Sequence, residues 1–176
     1  MFSYFLRHFL VWFRARGRVS NFNEEFDIRF RSWPTDCDSN FHVNTARYFV
    51  FMELARFDLS LKSGLFSYCL KNKIALLVMG AKITYRREIK PFKRINIRTK
   101  VIGYDERFMY IEQRIISNLG THSKGYLRIA MYKDGKFFNP DNLVSDLNLT
   151  FEQQPFPEDV KLWIEAEDLV LKDIKG

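Results

Sequence analysis

The sequence predicts an α+β fold in which an antiparallel sheet of five to six strands wraps around one long central helix. Residues 44–61 are apolar on nearly every side, and a helix with that pattern is buried all round. One segment before this stretch and four after it read as strands, mostly from apolar and polar residues that alternate with a period of two. The connectors between the last four segments are short, which favours antiparallel neighbours. A single sheet buries such a helix by wrapping around it.

The first half of the chain holds one strand pattern and the central helix. Residues 26–31 alternate apolar and charged side chains, which predicts the first strand. The helix over 44–61 is expected to end near Gly64, because glycine readily adopts the left-handed conformation that follows many helices. Glu53 and Arg56 are three residues apart and share a face of this helix, so we expect them to neutralise each other there.

The second half of the chain is strand-like and ends in a helix. The stretch 74–85 is apolar for most of its length, and Gly80 is a candidate for a β-bulge. Pro155 and Pro157 mark a break, after which residues 158–171 show the pattern of a peripheral amphipathic helix. The remaining predicted strands are centred on residues 95–101, 109–115 and 127–131. We therefore divide the chain into an N-terminal amphipathic helix (1–20), a main domain (21–154) and a C-terminal helical extension (155–176).

The N-terminal segment mixes aromatic side chains at helical spacing with arginines. Interrupted by Arg7, it is too short to span a bilayer, which needs about 20 apolar residues. It also lacks the features of a cleaved signal peptide. Two interpretations stay open: a helix lying on an anionic membrane surface, or a helix packed on the domain or on a second subunit. The apolar members are Phe2, Phe5, Leu6, Phe9, Trp12 and Phe13.

Charge and cysteine content narrow the setting. The chain has 28 basic and 21 acidic residues, a net charge of +7, which suits anionic partners such as CoA phosphates, nucleic acid or a lipid surface. No RNA- or DNA-binding signature accompanies the charge, so we expect no nucleic-acid partner. Cys37 and Cys69 form neither a spaced metal pair nor a disulfide framework. We expect a cytoplasmic protein without a metal or cofactor, membrane-associated if the N-terminal helix is interfacial.

Residues 36–44 are the most informative stretch of the chain. They combine two carboxylates, two amides and one of only three histidines. They lie between the first predicted strand and the start of the central helix, where exposed N–H groups can hold a developing oxyanion. An Asx-rich turn that merely caps the helix would have a similar composition. Cys37 lies between two carboxylates, which raise a thiol pKa, so we do not interpret it as a nucleophile.

The order of these residues resembles that of the hotdog-fold thioesterases. The similarity is to the branch that contains 4-hydroxybenzoyl-CoA-type enzymes, plant acyl-ACP thioesterases and the thioesterase-superfamily-member (THEM) proteins, and it covers roughly residues 26–132. The residues that carry it are Asp36-Cys37-Asp38, Asn40, His42-Val43-Asn44, Tyr48, Glu53-Leu54-Ala55-Arg56, Ile83-Thr84-Tyr85-Arg86-Arg87-Glu88, Pro91-Phe92 and Gly103-Tyr104-Asp105-Glu106-Arg107.

The resemblance implies a hotdog fold and hydrolysis of acyl-CoA or acyl-ACP thioesters. It makes Asp38, the second carboxylate of the D-x-D signature, the general base or nucleophile. The oxyanion donor would be the backbone N–H seven residues later, at Thr45, where many relatives carry Asn. Asn40 would orient water or the thioester, and His42 would relay a proton or bond to Asp38. Phe41 stands where many relatives carry Gly or Gln, which bears on the shape of the loop.

A basic cluster follows the strand over 74–85. Arg86 and Arg87 are the candidates for binding the phosphates of a CoA, although solvated positions at a strand end would look alike. Glu88 follows a Tyr-Arg-Arg run that also precedes an acidic residue in the acyl-ACP branch, but Ile89 departs from the next position there.

The resemblance also implies a homodimer, because hotdog sites are typically completed by a second subunit. The main alternative is a hotdog protein that binds an acyl thioester or a lipid without catalysis. A hotdog dehydratase or hydratase is disfavoured, because the loop from Asp38 to His42 follows the thioesterase pattern.

Overall fold

The computed structural model describes residues 2–15 and 17–175 and confirms the α+β fold class. Its sheet is antiparallel, with strand order β1-β3-β4-β5-β2 and a short β6 paired with β5. The strands are β1 (Phe26–Arg31), β2 (Ala75–Tyr85), β3 (Arg94–Tyr104), β4 (Phe108–Ser117), β5 (Gly120–Lys133) and β6 (Lys136–Phe137). The helices are α1 (Phe2–Arg14), α2 (Thr45–Lys62), α3 (Leu65–Asn72), α4 (Pro140–Asp146) and α5 (Glu158–Lys175).

Helix α2 is the central helix, and the sheet curls around it as a hotdog fold requires. Phe51 and Leu54 are fully buried in its middle. The first half of α2 packs on Ile95 and Ile97 of β3, in a cluster that also includes Ile115 of β4. Its second half belongs to another apolar cluster, built with β3, β4, β5, α3 and α4. Burial on both halves fixes the N-terminus of α2 relative to the sheet.

The predicted helix end and bulge are confirmed. Gly64 follows α2 with a φ of 78°, the left-handed conformation that glycine adopts without strain. The pairing of β2 with β5 shifts its register between Val78 and Gly80. Helices α3 and α4 were not predicted. Both are short, and at eight and seven residues they give too few turns for a helical period to stand out in the sequence.

Glu53 and Arg56 interact through their charges, as predicted, but they form no direct ion pair. The Arg56 guanidinium donates to Oε1 of Gln113 on β4, at 2.7 Å, and no ion pair joins it to Glu53 in the described chain. Glu53 instead accepts a hydrogen bond of 2.5 Å from the hydroxyl of Tyr4 on α1. Burial lowers the pKa of Arg56 to about 10, and the nearby Glu53 charge offsets this only in part.

The two terminal helices cover different parts of the domain. One face of α1 packs on α2 through Tyr4, Arg7 and the buried Val11. Helix α5 lies on the face of the sheet opposite to α2, where Trp163 packs on Tyr126 of β5. None of the helices in the described residues has the length and apolar character that crossing a membrane requires.

Candidate active site

The loop between β1 and α2 is a closed turn around Asp38. The backbone N–H of Asp38 donates to the carbonyl of His42 at 2.9 Å, and the Phe41 N–H donates to the carbonyl of Asp38 at 3.1 Å. Oδ1 of Asp38 accepts from the N–H of Asn40 at 2.9 Å, while no described residue bonds its Oδ2. One carboxylate oxygen therefore holds the turn, and the other is available to a water molecule or a substrate.

Phe41 lies at a loop position whose backbone conformation favours glycine. Its φ is 56°, the left-handed conformation in which the Gly of many relatives would be unstrained. Its side chain is 77% exposed and so is not held in place by packing. The loop thus keeps a shape suited to glycine, at a conformational cost of about 1 kcal/mol for the side chain.

Asp36, the first carboxylate of the signature, has a different environment from Asp38. It is buried, and its Oδ2 lies 2.6 Å from the guanidinium of Arg7 and accepts from the Trp33 N–H at 2.8 Å. Arg47 approaches the other oxygen at 3.8 Å. The Asp36 carbonyl accepts from the N–H of Asn44 at 2.8 Å. Asp36 therefore ties α1, the loop and the start of α2 together, and its carboxylate is occupied by these contacts.

Helix α2 begins at Thr45, immediately after this loop. Asn44 is the N-cap residue, and its Oδ1 accepts from the N–H of Ala46 at 2.9 Å. The Thr45 N–H is among the first amides of the helix, which have no intrahelical partner. It lies at the positive end of the helix dipole, where developing negative charge is stabilised. The side chain of Thr45 is exposed.

His42 pairs with Glu88 rather than with Asp38. Its Nε2 lies 2.7 Å from Oε2 of Glu88, and both side chains are partly exposed. The segment that carries Glu88 is held against the loop, because the Val43 N–H donates to the carbonyl of Ile89 at 2.8 Å. The Tyr-Arg-Arg-Glu run was the sequence signal for Glu88, but only the fold brings it to His42.

His122 is a residue that the sequence analysis missed. Its ring is buried, and its Nδ1 lies 2.9 Å from the carbonyl oxygen of Glu88 while its Nε2 lies 2.7 Å from Oγ of Ser117. A carbonyl oxygen only accepts, so Nδ1 carries the hydrogen. His122 thereby fixes the backbone that presents the Glu88 carboxylate to His42.

The two candidate phosphate-binding arginines, Arg86 and Arg87, have different environments. The Arg87 guanidinium donates to the carbonyl of Leu119 in the β4–β5 turn. Arg86 lines a recess of about 400 Å³ that shares no residue with the Asp38 loop. Within the described chain, neither Arg86 nor Lys82 forms an ion pair. The other polar residues of the recess are Lys82, Thr84, Arg114, Thr121, Ser123, Lys124, Tyr126 and Asp159.

Two further groups near the loop remain protonated at neutral pH. Burial, followed by the charges of Asp36 and Asp38, raises the pKa of the Cys37 thiol, as predicted. Burial is also the main cause that raises the pKa of Tyr48 to about 12. Neither side chain is therefore an available base or nucleophile at neutral pH, which leaves Asp38, His42 and Glu88 as the candidate groups for proton transfer or attack.

Comparison with known proteins agrees with this architecture. The chain is 29% identical to Protein THEM6 of Xenopus laevis over 168 residues, which are 94% of this chain and 80% of that protein. It is 31% identical to Protein THEM6 of Drosophila melanogaster over 130 residues, 73% of this chain and 65% of that protein. The crystal structure of the YbaW probable thioesterase from Escherichia coli superimposes with a TM-score of 0.64 at 22% identity, covering 69% of this chain and 94% of that one.

The family comparison spans both the loop and the sheet. The model of the thioesterase-like superfamily matches residues 32–164, which include the Asp38 loop, helix α2 and strands β2 to β6. With its curled sheet around a central helix, the chain belongs to the thioesterase-like superfamily and has its hotdog fold.

Proposed function

We propose that this protein hydrolyses acyl thioesters of CoA or of an acyl carrier protein, with Asp38 as the group that activates water or attacks the thioester. One observation carries the proposal: Asp38 has an oxygen that no described residue bonds, in a closed turn that leads directly into the N-terminus of a buried helix. Membership of a thioesterase-like family gives independent support.

The chemistry divides between the carboxylate and the helix. Asp38 either takes a proton from a water that attacks the thioester carbonyl, or attacks that carbonyl itself and is released by water. In both routes the carbonyl oxygen becomes negatively charged and is held by the Thr45 N–H at the positive end of α2. The C–S bond then breaks, the thiolate takes up a proton, and the products are a free acid and a thiol.

His42 and Asn40 have supporting roles in this proposal. Paired with Glu88, the His42 ring keeps a fixed orientation and can donate a proton to the leaving thiolate. The Asn40 side chain is exposed beside Asp38 and can orient the attacking water or the thioester. The structure gives no hydrogen bond between His42 and the Asp38 carboxylate within the described chain, so we assign the relay to the pair with Glu88.

We further propose that the working form is a homodimer joined through β2. This strand is at the end of the sheet, and its outer edge has no strand partner within the described chain. Leu76, Leu77 and Val78 are consecutive on it and are 39%, 46% and 50% exposed. An exposed apolar edge strand invites pairing with another chain, and two copies of β2 can pair about a twofold axis.

A charged substitution on the exposed edge strand β2 tests the proposed dimer. Val78→Asp is expected to weaken dimerisation at least about 100-fold, because each copy would bring an unpaired charge into an apolar contact. Light scattering at micromolar concentration measures the mass. The control is Leu162→Asp on α5, where the replaced side chain is similarly exposed. A wild-type protein that is monomeric under these conditions would contradict a composite site.

The recess around Arg86 supports CoA as the carrier. Four of its residues are basic and one, Asp159, is acidic, so it keeps a net positive charge. We expect Arg86→Ala to raise the KM for an acyl-CoA about tenfold, the worth of a charge-assisted hydrogen bond to phosphate. The KM for the corresponding acyl-pantetheine, which lacks the nucleotide, should not change. Arg87→Ala is the matched control, and an equal effect of Arg86→Ala on both substrates would refute the assignment.

Release of free thiol from a panel of acyl-CoA chain lengths tests the function itself. Turnover of one or more of these substrates by the purified protein is expected. Tight binding of acyl-CoA without thiol release would favour a non-catalytic hotdog protein instead. Hydration of crotonyl-CoA, measured in the same panel, would point to a hydratase.

A further inference from the structure

Helix α1 displays an aromatic face that the domain does not use. Its inner stripe, Tyr4, Arg7 and Val11, is fixed on α2 and on the Asp38 loop. The opposite arc contains no charged side chain between residues 4 and 15. Its members are exposed by 62% (Phe5), 44% (Leu6), 57% (Phe9), 58% (Trp12) and 62% (Phe13).

The rings of this arc form one continuous surface. The ring centroid of Phe9 lies 6.1 Å from that of Trp12 and 6.3 Å from that of Phe13. Because the inner stripe is tied down by an ion pair and a hydrogen bond, α1 cannot turn to bury these rings without breaking both contacts. Exposing five large apolar side chains together to water is unfavourable, so the surface calls for an apolar partner.

A basic rim runs beside the aromatic face. A groove of about 1110 Å³ separates α1 from β1 and is lined by Leu10 and Arg14 of the helix and by Arg29, Arg31 and Arg94 of the sheet. Arg31 and Arg94 lie directly opposite each other in the β1–β3 pairing. Facing like charges destabilise a sheet, and none of the three sheet arginines forms an ion pair with a described acidic residue. The rim therefore suits a surface that supplies negative charge.

We infer that α1 docks this protein on the surface of an anionic phospholipid bilayer. The aromatic arc would enter the boundary between headgroups and acyl chains, where Trp and Phe side chains are favoured. The rim arginines would then contact lipid phosphates. A second copy of the chain fits this face less well, because a twofold contact through α1 would bring two such basic rims together.

Binding of the full-length protein to lipid vesicles tests the inference. The probe is vesicles with about 30% phosphatidylserine in phosphatidylcholine, compared with phosphatidylcholine alone. We expect binding to the anionic vesicles that weakens in high salt, since screening shortens the reach of the arginines. The double variant Phe9→Ser with Trp12→Ser should bind about tenfold less tightly or worse, because it loses two large apolar anchors.

A matched variant distinguishes binding through the aromatic face of α1 from nonspecific adsorption to vesicles. Leu162→Ser with Leu169→Ser removes side chains of α5 that are 59% and 66% exposed, and it should bind as the wild type does. In a Trp33→Phe background, brominated phosphatidylserine should quench the fluorescence of Trp12. Unchanged vesicle binding by the α1 double variant would overturn the inference. The inference would also be overturned if the wild type did not bind vesicles but self-associated in light scattering, and the α1 double variant did not self-associate.

Discussion

Replacing Asp38 with Asn is expected to reduce thioester turnover by about 10²-fold or more while leaving the melting temperature unchanged. Asn keeps the side-chain oxygen that accepts from the Asn40 N–H, so the turn should persist. It has no carboxylate with which to take a proton or attack a carbonyl. The proposed oxyanion donor at Thr45 is a backbone group, so the substitution leaves it in place. The loss therefore isolates the chemical contribution of the carboxylate.

The measurement is thiol release under saturating substrate, with thermal unfolding monitored on the same samples. Ser39→Ala is the control, because Ser39 is an exposed neighbour in the same turn. Near-wild-type turnover by Asp38→Asn on a good substrate would show that another group performs the chemistry. A lowered melting temperature would instead show that Asp38 shapes the fold as well as the site.

Replacing Asp36 with Asn is expected to have the opposite profile. The Asp36 carboxylate is buried between Arg7 and the Trp33 N–H, and removing its charge leaves the Arg7 guanidinium without its partner. Breaking a buried pair on one side costs about 3–5 kcal/mol, and partial access of Arg7 to water reduces this to about 2 kcal/mol. For a domain of this size the melting temperature should fall by about 4–8 °C.

Turnover of the folded Asp36→Asn protein well below its melting temperature should stay within severalfold of wild type. Arg7→Gln supplies the matched change on the other side of the pair. In a double-mutant cycle the two losses should be clearly less than additive, since each substitution removes the same interaction. Wild-type melting temperatures for both single variants would contradict the role of Asp36 as the tie between α1 and the loop.

Asp36 and Asp38 show which properties of the site can be predicted from the sequence. Two residues apart, they carry the same chemical group, and the motif predicts a carboxylate-bearing turn before a helix. Only the fold gives the two carboxylates different roles, because the arginine that pairs with Asp36 comes from α1, 29 residues away along the chain. Glu53 and Arg56 form no direct ion pair for a related reason. Local spacing favoured it, but Gln113 on β4, 57 residues away, holds Arg56.

By itself the sequence determined what depends on periodicity and short-range order. A helix apolar on nearly all sides, alternating strands and a glycine after the helix are all local features, and the structure confirms the elements they predict. Tertiary structure decided what depends on contacts between distant segments. Among these are the pair of His42 with Glu88, the exposed edge of β2 and the face that α1 turns outward. Their physical basis is the same: a helix or strand specifies its apolar face, but only packing against the rest of the chain specifies what that face meets.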